Sequence, residues 1–172
     1  MRTVVDIFAT ANKPWINSRE LQKLLRHGLH KFNIQLVEEL VADFGKNGFV
    51  NLEGFKKIWK VLIKFRSVFD RYAAGSLLSV IEFRRLLEDY FEAQLDDRFY
   101  SYLLHFYNNR ISFDVVVHVI KHLLKLERQG LNLEEDINVE YWNSAFSSAA
   151  TPSAPQYVST NSLYEPPAYH AL

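Results

Sequence analysis

This chain of 172 residues has no cysteine, one methionine and six glycines, and all but one of its five prolines lie between Pro152 and Pro167. Without cysteine there is no disulfide staple, no thiolate metal site and no thiol nucleophile, which fits a cytoplasmic setting. A net excess of either charge is missing as well. Lys+Arg and Asp+Glu both number 20, so no bulk field draws the chain to nucleic acid or to an anionic membrane. Long apolar runs are absent: Asp6 breaks the stretch after Met1 too early for a signal-peptide core, and no window approaches a membrane span. Membranes are therefore expected to be reached only through partners. No Gly-rich elbow or other nucleophile motif occurs, so the chain reads as non-enzymatic.

What the sequence does have is apolar and aromatic content, 48% and 15%, enough for one well-buried domain. It also has a beat. Five times an apolar residue precedes Asn or Ser at the start of a helix-period stretch: Ile16-Asn17, Val50-Asn51, Leu78-Ser79, Ile111-Ser112 and Ile137-Asn138. The apolar members are 34, 28, 33 and 26 residues apart, a period at which each unit is one supersecondary element that needs a neighbour to cover its apolar face. Asn and Ser are strong helix N-caps, and an apolar residue before them suits a short extended segment entering a helix. Glu20 and Glu82 fall three residues past Asn17 and Ser79, where they complete capping boxes. One stripe runs from Phe55 to Phe69 with neither Gly nor Pro, which predicts one helix shared by two units.

Five units rather than four, the run Gly54-Phe55-Lys56-Lys57-Ile58-Trp59 leading into Phe69-Asp70, and Ile111-Ser112-Phe113-Asp114 after a shortened fourth loop carry a family likeness. The chain resembles the penta-EF-hand family: the calpain C-terminal domains, the calpain small subunit, and the sorcin and grancalcin type. The resemblance implies an all-α, EF-hand-like domain of five tandem helix-loop-helix units over residues 1–146. Its first four hands pair within the chain, and its fifth pairs with that of a second subunit, as a homodimer or heterodimer. An odd hand left alone would expose apolar surface, so a dimer also follows physically. Ile137, Tyr141, Trp142 and Phe146 are the candidates for that interface.

Calcium needs six to eight oxygens, mainly from loop positions 1, 3, 5 and 12, with a glycine at 6. The second loop offers Asp43 at 1, Asn47 at 5 and Gly48 at 6, but Gly45 at 3 and Gly54 at 12. It reads as a weak site or as a loop that keeps its turn without its ligands. In the third, counting from Asp70 puts Ile81 at 12, whereas counting back from Glu82 puts Arg71 at 1, and neither register gathers carboxylates. In the first, Glu20 fits position 12, but Ala9, Ala11 and Lys13 take the ligand places and Pro14 that of the turn glycine. The fourth, Asn108-Asn109-Arg110, is too short for a twelve-residue cage. In the fifth, Tyr141 stands where Glu belongs, after an acidic turn of Glu134, Glu135 and Asp136. The expectation is no required cofactor, with calcium weak or lost. His118 and His122, four apart on one helix, are read as polar surface histidines, because the sequence places no third ligand beside them.

From Ser147 to Leu172 the composition turns to Ser, Ala, Thr, Pro and Tyr without periodicity, which predicts a flexible tail. Two ligand motifs lie in it. Pro166-Pro167-Ala168-Tyr169 fits the PPxY ligand of WW domains, where a polyproline II segment docks in an aromatic groove. Pro152-Ser153-Ala154-Pro155 looks like the P(S/T)AP ligand of the ESCRT-I ubiquitin-variant domain. The leading reading is a protein-protein adaptor whose tail recruits ESCRT or WW-domain ubiquitin-ligase partners. The alternatives are a small-subunit-like regulator of a calpain-type cysteine protease, or a calcium sensor.

Overall fold

The computed structural model describes residues 2–91 and 95–130. In chain order the elements are α1 (Val4–Ala9), β1 (Trp15–Asn17), α2 (Ser18–Gly28), α3 (Ile34–Phe44), β2 (Phe49–Asn51), α4 (Leu52–Tyr72), β3 (Leu77–Leu78), α5 (Val80–Phe91), α6 (Asp97–Tyr107), β4 (Ile111–Ser112) and α7 (Phe113–Arg128). The architecture is all-α and EF-hand-like, with strands only long enough to join one hand to another.

The repeated pair does two jobs. Its apolar member sits in the short strand: Ile16 pairs antiparallel with Val50 and Leu78 with Ile111, and all four are fully buried. Its polar member begins the following helix. Asn17 accepts the Glu20 amide at 3.0 Å, Asn51 accepts that of Gly54 at 2.9 Å, and Ser79 accepts that of Glu82 at 3.2 Å, each satisfying an N–H that the helix itself leaves over. Ser112 departs from the pattern. Its hydroxyl donates to Asp114 Oδ1 at 2.5 Å and makes no cap bond to the backbone. Hands one and two thus pair, as do three and four, and the 21-residue α4 is the exit helix of the second and the entering helix of the third. The fifth pair, Ile137-Asn138, lies outside the described residues, as do the proposed interface residues, the boundary at 146 and both tail motifs.

The pairing also settles the register of the third loop. With Leu78 opposite Ile111, Glu82 takes position 12 and Arg71 position 1, and Asp70 falls one residue before the loop. The core is aromatic, with Phe32, Phe55, Phe69, Phe83, Phe99 and Phe113 all at most 1% exposed. Helix α7 runs through it and buries every residue from Phe113 to Ile120. That corrects the reading of His118, which is 5% exposed: a helix apolar on nearly every side is covered on every side. Among the described residues no helix is long and apolar enough to cross a membrane.

Candidate functional site

In the second hand the loop has closed on itself. Lys46 and Phe49 exchange two backbone hydrogen bonds, 2.8 and 3.0 Å, around Asn47 and Gly48, whose positive φ values of 52° and 80° mark a type I′ turn. The Phe49 carbonyl, at the position that gives a backbone ligand in a calcium loop, is thus committed to the Lys46 amide. A side chain at Gly45 would collide with the Phe49 and Val41 carbonyls, so position 3 has no room for a ligand. Asp43, at position 1, is ion-paired with Lys121 at 2.9 Å.

The first loop holds a cation of its own. Lys13 Nζ lies 2.5 Å from Glu20 Oε1, while Glu20 Oε2 accepts the Asn17 amide at 2.9 Å. The lysine bond, then the amide bond, hold the Glu20 carboxyl below its usual range. In the third loop Glu82 accepts both the Ser79 amide at 2.7 Å and its hydroxyl at 2.9 Å, which lowers its pKa through the backbone bond first. Asp70 is paired with Arg66 at 2.9 Å, one turn back on α4. The fourth loop turns on Asn108 and Asn109, both in the left-handed region, and the Asn109 side chain accepts the Val80 amide at 2.7 Å, tying hand four to hand three. Asp43, Asn47, Glu20 and Glu82 are therefore spread over three loops, with Asp70 one residue before the third. Each carboxylate among them has a partner within the chain.

Restoring position 12 of the second loop tests this geometry. A Cβ at Gly54 would stand 2.6 Å from the Phe44 carbonyl oxygen and 3.0 Å from Val50 Cγ1, and the first is backbone that moves only with α3. Gly54→Glu is expected to destabilise the domain by about 1–3 kcal/mol and to bring no calcium heat in isothermal titration. A stable variant that binds calcium in the micromolar range would refute it.

Sequence reasoning missed one cluster. Glu39 on α3 meets His118 and His122 on α7, with one ligand atom from each within 4.8 Å of the others. The two rings stand edge to face at 4.6 Å between centroids. Burial first, then the neighbouring His122, depresses the His118 pKa to about 4; burial likewise lowers that of His122. Glu39 and His122 line a cavity of about 710 Å³ bounded also by Leu40, Phe44, Val61 and Phe65. No spacing rule links a residue of hand two to the helix of hand four, so only the packing brings the three together.

Two pairs of hands that share a continuous helix define an EF-hand-like fold over the described residues. No family model and no curated protein matches the chain. Among solved structures it is similar to a homolog of programmed cell death 6 protein from Leishmania major Friedlin, with a TM-score of 0.62 and 17% identity over 74% of this chain and 75% of that one. At that identity the likeness is one of fold.

Proposed function

We propose that this chain is a non-enzymatic, penta-EF-hand-like adaptor that presents protein-binding surfaces without calcium gating. One observation carries the reading. The described hands keep their strand pairing, and three of the four keep their side-chain helix caps, while the carboxylates of their loops are engaged by Lys13, Lys121 and Ser79. A scaffold that retains its packing but commits its loop ligands internally fits a permanently formed module better than a switch. The fifth hand, through Ile137, Tyr141, Trp142 and Phe146, pairs with a second subunit, and the tail recruits partners through Pro152–Pro155 and Pro166–Tyr169.

Affinity capture from the full chain, in calcium and in chelator, tests it. Pro166→Ala with Tyr169→Ala is expected to reduce capture of purified WW domains at least tenfold. Pro152→Ala with Pro155→Ala is expected to do the same for the ESCRT-I domain, and calcium to change neither. Unchanged capture in both variants rejects the tail reading. Calcium-dependent capture would favour the sensor, and a heterodimer with a cysteine protease the regulatory subunit.

A further inference from the structure

We propose that Glu39, His118 and His122 form a binding site for a borderline transition-metal dication, zinc above all, which ties α3 of the second hand to α7 of the fourth. Two observations meet at this place. The donor set is two imidazoles and one carboxylate, which suits zinc rather than calcium or magnesium, since those prefer oxygen alone. The histidines lie one helical turn apart, so both rings project from the same side of α7, and Glu39 approaches from a different helix.

The ligand atoms lie within 4.8 Å of one another, whereas neighbouring ligands of tetrahedral zinc stand about 3.4 Å apart at bond lengths near 2.1 Å. Closing that gap takes side-chain rotation at Glu39 and His122, both only partly buried, while buried His118 serves as the fixed point. Lys121 is the competitor. Its ammonium lies 3.3 Å from Glu39 Oε2, but it already reaches Asp43 Oδ2 at 2.9 Å. It can therefore release Glu39 to the metal and keep a counter-charge. Glu39 and His122 face the cavity between α3, α4 and α7, so a fourth ligand, water or a partner's carboxylate, has access from that side. Such a site clamps the two hand pairs together, beside the Lys121 ion pair with Asp43 at the start of the second loop.

The test uses the full chain, stripped with chelator and titrated with zinc chloride alone. Zinc is expected to bind with micromolar or tighter affinity, to raise the thermal midpoint, and to shift the ring nitrogen resonances of His118 and His122. His122→Ala and Glu39→Gln, each checked for folding by circular dichroism, should weaken binding roughly tenfold or more. Lys121→Met should tighten it. Surface histidines elsewhere would bind zinc equally well in the wild type and in these variants. Unchanged affinity in both His122→Ala and Glu39→Gln, or zinc that leaves the two rings unshifted, overturns the proposal.

Discussion

Phe113→Ala is expected to cost about 3–5 kcal/mol, the range for deleting a fully buried aromatic ring, and so a fifth or more of the stability of a typical domain. Phe113 opens α7 and is 1% exposed. Its ring touches Phe69 of α4 at 5.4 Å, Phe32 of the α2–α3 connection at 5.6 Å and His30 at 5.5 Å between centroids, with the Arg66 guanidinium 5.3 Å from its centre. These neighbours come from both pairs of hands, so the cavity left by alanine opens at their junction, where no single element can move in to fill it. Next to it, Asp114 Oδ1 lies 3.7 Å from His30 Nε2, a polar contact whose geometry depends on the same packing. Urea denaturation followed by circular dichroism measures the effect. Ile81→Ala on α5, where the side chain is 66% exposed, is the control and should move stability by no more than about 0.5 kcal/mol. A loss below about 1 kcal/mol for Phe113→Ala would show that this aromatic cluster is not the joint between the hand pairs.

The fold was legible because its signals were local and repeated. The apolar residue before Asn17, Asn51 and Ser79 marks a strand position and a cap at once, and a run such as Phe55 to Phe69 with no breaker has nowhere to stop. In the loops the carboxylates were legible, but what engages them was not. The I′ turn at Asn47-Gly48 is a short-range signal, whereas the reach of Lys13 to Glu20, or of Lys121 to Asp43, depends on how the helices cross. The third loop shows the limit well: two registers fit the sequence, and only the partner strand at Ile111 selects between them. His118 was misread because its helix lies in the middle of the domain. Periodicity assigns a polar residue to the wet face, and α7 has almost no wet face along its first half.

Acid is expected to unfold the metal-free protein earlier than its carboxylates alone would require. The cause is His118, whose pKa is depressed from 6.5 to about 4 by burial first and by His122 second, with Lys121 acting in the same direction and Glu39 and Asp114 opposing. A group that is harder to protonate in the folded state than in the unfolded state favours unfolding wherever the unfolded chain holds the extra proton. Stability from keeping this ring neutral is therefore complete above about pH 6.5 and drains as pH falls towards 4. The limiting slope is about 1.4 kcal/mol per pH unit and the total about 3 kcal/mol. His122 shifts in the same direction and steepens the slope. Urea melts in chelator between pH 7.5 and 4.5 should show this decline, and His118→Gln, which fills similar space without titrating, should flatten it. If the pH slope of His118→Gln matches that of the wild type between pH 6.5 and 4.5, His118 is not held neutral by burial, and the acid sensitivity of the domain belongs to its carboxylates instead.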